Sequence, residues 1–281
     1  MTDIESLSEA DYASARLRAL FGRVIDALSG ESRRLLSFEE VKEALHLAGP
    51  VYRGVQTVPV DRIVGSLNRY RDFDHRFLPT QSHTQARWTR INRAWYRELH
   101  LPPVLLYQVG EVYFVVDGNH RVSVARAQGQ THIDAEVREC ASRVPLAADV
   151  EPEDIERLGA RVEFLERTQI DRLLPQAEVE PTILGGYDRL VEHIAVHRYF
   201  MGLEQKREIS ESEAVLHWYE TLYLPVTQVV RASGVLEEFP GRTPADLYLW
   251  VMDHLHYLRS LPGQRRVDAR EAARQFIEMI D

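Results

Sequence analysis

The chain has 281 residues, 44% of them hydrophobic and 27% charged, with a formal net charge of −9. That composition fits an ordinary globular protein of one large or two modest domains. The acidic balance argues against a surface coated in positive potential for DNA, and no apolar run approaches the ~20 residues that cross a bilayer.

Cys140 is the sole cysteine, which removes intramolecular disulfides and cysteine zinc clusters from consideration. With no activating base beside it, it reads as a small buried hydrophobe rather than a catalytic thiol. Lys42 and Lys206 are the only lysines, and no Gly-x4-Gly-Lys-Ser/Thr loop occurs. Phosphoryl chemistry in this chain therefore has to lean on arginine, histidine or metal. The acidic opening Met1-Thr2-Asp3-Ile4-Glu5 lacks the basic and apolar regions of a signal peptide, so a cytoplasmic protein is expected.

In chain order, Ser8 with Asp11 three residues on predicts a helix over 8–29, with apolar residues at Leu17, Leu20, Phe21, Val24 and Leu28. Ser37-Phe38-Glu39-Glu40 is a fuller capping box, opening a second helix through Leu47 that Gly49-Pro50 ends. The pair is expected to form a helical hairpin packed on the mixed region that begins near residue 51. Thr57 to Ile63 reads as a strand, and 68–76 as an irregular polar and aromatic loop. Trp88 to His100 has helical spacing, stopped by Pro102-Pro103. Two strands come next, Val104 to Val109 and Val112 to Val116, joined at Gly110-Glu111 with hairpin spacing.

The second of these strands runs into Asp117-Gly118-Asn119-His120-Arg121 and then a helix ending near Gly129, before a further strand-like run, Ile133 to Val137. A strand passing to a helix through glycine leaves free amides at the turn, and the helix dipole makes them a natural anion site. His120 and Arg121 add two side chains suited to phosphate oxygens. Beyond Cys140 the chain turns acidic and proline-punctuated, which marks a junction. Helices dominate from Ile155: one over Tyr187 to Met201, one capped by Ser210, and one opened by Thr243-Pro244, with a β element near 178–184. The expected organisation is 1–50 helical, 51–140 mixed, and 141–281 mainly helical.

The Asp-Gly-Asn-His-Arg stretch resembles the phosphate-binding box of the ParB/sulfiredoxin superfamily: an acidic or small residue, glycine, two variable residues, then arginine. The element order over 57–137 is similar to that domain's, and Val58 to Ile63 followed by Arg69 or Arg71 and Phe73-Asp74 resembles its first strand and arginine-bearing loop. The chain is also similar, notably at Glu237 to Thr243, to bacterial proteins joining a ParB-like domain to a helical C-terminal domain, from which no activity carries over. The resemblance implies an α+β fold in which a ParB/sulfiredoxin-like domain is flanked by the N-terminal hairpin and the helical C-terminal domain.

What the resemblance implies for function is specific. ParB domains bind CTP, sulfiredoxins bind ATP, and a free-serine kinase of the same fold uses ADP. Gly118 and Arg121 match the residues that hold phosphates in all three, and His120 matches the histidine before that arginine in sulfiredoxin. The sulfiredoxin cysteine would fall at Asn119, which cannot act as its nucleophile, so that chemistry is excluded. The box is similar to the Asp-Gly-His-His-Arg of the serine-kinase branch, which makes Asp117 the candidate base or metal ligand, with Mg²⁺ neutralising phosphates.

The expected function is nucleotide binding (ATP, ADP or CTP). Its phosphate ligands would be Gly118, Asn119, His120 and Arg121, with Arg69, Arg71 and Arg76 on the facing loop. Asp117 would serve a phosphotransferase or nucleotide triphosphatase. Segment 53–100 holds nine arginines against four acids, with Tyr70, Phe73, Trp88, Trp95 and Tyr96 as aromatic companions, of which Trp88 and Trp95 read as core. Other readings stay open: Asp117 as a turn cap, the arginine loop as solvated, a nucleotide-switched DNA-binding partition-type regulator, or a non-catalytic scaffold. His193 with His197, and His254 with His256, read as structural rather than metal-binding, and a homodimer is the default assembly.

Overall fold

The computed structural model describes residues 3–29, 34–69, 71–261 and 267–280, in two compact units, Met1–Leu158 and Gly159–Asp281. In the first unit six strands form one mixed sheet: β1 (Leu36–Ser37), β2 (Val51–Pro59), β3 (Ile63–Ser66), β4 (Val104–Val109), β5 (Val112–Asp117) and β6 (His132–Glu139). Their spatial order is β1-β3-β5-β4-β6-β2. Among the described residues the same unit carries the α-helices α1 (Ile4–Ser29), α2 (Phe38–Ala44), α3 (Gln85–Tyr96) and α4 (Asn119–Ala127).

β5 lies inside the sheet, parallel to β3 and antiparallel to β4. Its apolar run is continuous because both faces are covered. Phe114 meets Phe38 of α2 edge-on at 5.5 Å, while Val115 joins Val122 and Ala125 of α4 in the main core. The β4–β5 hairpin turns at Gly110, whose φ is +60° and whose missing Cβ leaves room for the Leu146 backbone; a Cβ there would come within 2.6 Å of it.

The N-terminal helices differ from the expected hairpin. α1 begins at Ile4, one turn before Ser8, so Ser8 and Asp11 lie inside it rather than at its cap. It packs against α3 through Tyr12, Ala15 and Ala19, with the Tyr12 and Trp88 rings 5.5 Å apart. Asp11 accepts from Asn92 Nδ2 (2.9 Å), Tyr96 Oη (2.7 Å) and Gln128 Nε2 (2.9 Å), tying α1 to α3 and to the end of α4. Burial alone would raise that carboxyl, and these three donors bring it below its ordinary value. α2 instead lies beside the sheet through Phe38, and Ser37 makes no side-chain cap. The predicted apolar stripe of α1 faces away from this core, because the small residues Ala15 and Ala19 give the closer approach to Trp88.

α5 (Asp154–Thr168) carries the division between the units, followed by α6 (Ile170–Leu173), α7 (Gly186–Gln205), α8 (Glu211–Trp218), a π-helical turn at Tyr219–Tyr223, α9 (Leu224–Ser233), α10 (Pro244–Ser260) and α11 (Ala269–Glu278). Ser210 caps α8 by accepting from the Glu213 amide, and Thr243 with Asp246 forms a capping box on α10. No strand forms near 178–184. There the Thr182 and Ile183 amides donate to Asp246 Oδ1 at 2.7 and 3.1 Å, which satisfies them without a partner strand. Among the described residues no helix is long and apolar enough to cross a membrane.

Candidate phosphate-binding site

β5 ends at Asp117, and Gly118 turns the chain into α4 with φ +107°. A Cβ at this position would sit 2.6 Å from Val104 Cγ1 and 3.0 Å from Arg121 Nη2, so both backbone strain and space select glycine. The Gly118 carbonyl accepts from the Arg121 and Val122 amides, which leaves Asn119 and His120 at the open, positive end of the helix.

Both side chains at that end are buried, Asn119 at 7% and His120 at 5% exposure. Asn119 Oδ1 and His120 Nδ1 nevertheless have no hydrogen-bond partner. Each such orphan costs about 1–3 kcal/mol, so a ligand that satisfies them is favoured over an empty site. A flip of the Asn119 amide would present its Nδ2 donors instead, as an oxyanion requires. The His120 ring stands edge-on to Phe73 at 5.5 Å. Burial, reinforced by the Arg87 and Arg69 charges, pushes its imidazole down to about 4, with Asp72 opposing and His83 adding to the effect.

The cations around His120 are partly matched by carboxylates. Arg69 Nη1 donates to Asp72 Oδ2 at 2.9 Å, and His83 Nε2 lies 3.3 Å from Asp72 Oδ1. Arg121 donates to Asp117 Oδ2 at 2.7 Å, to the Pro103 carbonyl at 2.8 Å and to the Pro102 carbonyl. Burial lowers the Arg121 guanidinium, Asp117 opposes that, and Arg87 adds to it, so Arg87 acts on both His120 and Arg121. Arg87 itself has no carboxylate partner among the described residues. The sum is an excess of positive charge at a helix N-terminus, where an anion binds most readily.

The structure thus brings together Asp117, Gly118, Asn119, His120, Arg121 and Arg69. Arg71 sits in the turn just after Tyr70, where its carbonyl accepts from Thr80 Oγ1 at 3.2 Å. Arg76 is directed elsewhere: Nη2 donates to the Arg18 carbonyl of α1 at 3.2 Å and lies 3.6 Å from Asp74 Oδ2. Asp74 caps its own turn by accepting from the Arg76 and Leu78 amides. Sequence reasoning missed Arg87, His83 and Asp72. Arg87 falls within the arginine-rich segment, but only tertiary packing sets the first turn of α3 beside the first turn of α4.

Of the aromatic residues, Tyr70 lies outside the described residues, Phe73 and Trp88 are core, and the Tyr96 hydroxyl is taken by Asp11. Trp95 lines a cleft of about 770 Å³ with Ile91, Leu99, Pro102 and Arg121. That cleft adjoins the site on the Arg121 side of α4. In the helical unit His197 Nε2 lies 2.7 Å from His217 Nδ1, and no group of three or more potential metal ligands converges among the described residues. Cys140 is buried, which pushes its thiol up. Compared with known proteins, the chain matches no family model and no curated sequence.

Proposed function

We propose that this chain binds a nucleotide in the manner of the ParB/sulfiredoxin-like domains, with the phosphates at the N-terminus of α4. One observation carries the reading: two buried side chains with unpaired polar atoms, Asn119 and His120, at an open helix end that carries Arg121 and feels the charges of Arg69 and Arg87. A phosphate there exchanges the Asp72 and Asp117 contacts of two arginines for its own oxygens, gains Arg87 outright, and accepts from the first helical amides. The cleft beside Arg121 then receives the nucleoside, with Trp95 on its wall.

Asp117 is the catalytic candidate of this reading. Its side chain is 65% exposed beyond its contact with Arg121, so a phosphate that draws Arg121 away frees a carboxylate beside the phosphates. A single exposed carboxylate fits a Mg²⁺ ion held largely by nucleotide oxygens and water. When bound, the ion would supply charge neutralisation on the phosphates. Asp117 would then accept the proton of an attacking hydroxyl or water, in a kinase-like or nucleotide-hydrolysing reaction.

Calorimetric titration with ATP, ADP, CTP and GTP, with and without Mg²⁺, tests the reading. At least one nucleotide is expected to bind, and Arg87→Ala is expected to weaken it by tenfold or more, on the order of one charge-assisted contact. Absence of binding by all four ends the proposal.

A further inference from the structure

α1 presents two opposite faces. At 100° per residue, Ser8, Tyr12, Ala15 and Ala19 lie on the face packed against α3, and Leu17, Leu20, Phe21, Val24, Ile25 and Leu28 lie on the other. These six large side chains are between 50% and 83% exposed. Leu17, Phe21, Val24 and Leu28 are separated by four, three and four residues, the alternation of a coiled-coil seam, and Leu20 and Ile25 flank it. Continued towards the N-terminus the same face holds Ala13, Ser14 and Ala10, so no charge interrupts it.

We infer that this stripe is the seam of a homodimer, with α1 of one copy packed on α1 of a second. Area supports that occupant. The six side chains expose together roughly 600 Å² of apolar surface, at the upper end of what a monomer leaves as its largest patch. Full burial of both stripes would remove at most roughly 1,200 Å², the lower bound of stable protein interfaces. A charge-free seam also matches itself without burying an unpaired ion, and a symmetric pairing needs only one such patch per chain. A strongly charged partner would find no counter-charge on it.

The test is sedimentation equilibrium of the full chain at concentrations around ten micromolar, a range that resolves ordinary dimer affinities. The wild type is expected at twice the chain mass. The doubly substituted Leu20→Glu, Val24→Glu chain is expected to be monomeric, its dissociation constant raised at least a hundredfold, with an unchanged far-ultraviolet dichroism spectrum because both positions are exposed. A monomeric wild type would overturn the proposal. So would a double variant that still dimerises with unchanged affinity, or cross-links placing the stripe against residues 159–281 of its own chain.

Discussion

Arg121 and Asp117 stand four residues apart across the turn from β5 into α4 and are joined by a hydrogen-bonded ion pair of 2.7 Å, with the rest of the guanidinium directed to the Pro102 and Pro103 carbonyls. The arginine of the box therefore holds together the end of β5, the start of α4 and the loop before β4. Its side chain is only 13% exposed, so this contact is not an ordinary surface pair.

Arg121→Ala is expected to destabilise the first unit by about 1–2 kcal/mol, the magnitude of losing hydrogen bonds to a charged group, with the exposed Pro102 and Pro103 carbonyls passing to water. Arg121→Lys should recover little of this, because an ammonium cannot fork between a carboxylate and two carbonyls. Urea denaturation of the three proteins measures it. Equal midpoints would show that the ion pair contributes nothing.

Gly118→Ala is expected to cost about 1–3 kcal/mol from backbone strain at φ +107°, with the Val104 contact adding to it. Gly129→Ala, also at positive φ but with open space around it, separates the two terms. The Gly118 variant should be the less stable of the two in thermal denaturation.

Acid should destabilise the protein earlier than carboxylate protonation would. His120 and His197 are both pushed down to about 4, by burial first and then by neighbouring cations or, for His197, by His217. Their unfolded values are near 6.5, so the unfolded chain binds more protons between those limits and stability falls as pH drops through that window. The slope reaches at most about 1.4 kcal/mol per pH unit for each histidine. Urea midpoints at pH 7 and pH 5 read it, and His197→Gln should flatten the difference.

Asp117→Asn is expected to retain nucleotide affinity within about threefold while lowering any turnover of that nucleotide by roughly 10²-fold or more, the scale of general-base catalysis. Parallel loss of binding and turnover would instead make Asp117 a structural partner of Arg121 alone.

Local signals in the chain carried much of the first unit. The apolar run of β5, the Gly110 hairpin and the Asp117–Arg121 turn are each written in a few adjacent residues, and each forms where the pattern puts it. The face of α1 was not legible in the same way. Hydrophobicity marked Leu17, Phe21 and Val24, whereas the fold buries Ala15 and Ala19, because close packing against Trp88 rewards small side chains. Nor could spacing reveal Arg87 or the Asp72–His83 pair, since their proximity to His120 arises from elements over thirty residues apart. Arg76 illustrates the reverse: it shares a loop with Arg69, yet reaches α1.

A nucleotide whose phosphates sit beside His120 is reported on directly by the His120 imidazole. Its NMR titration should be followed with and without the tightest-binding nucleotide. The free protein should titrate near 4, held down by burial and by Arg87 and Arg69. A bound phosphate dianion compensates those charges, so the value should move upward on saturation. Saturation with nucleotide that leaves the His120 titration unmoved would contradict the account.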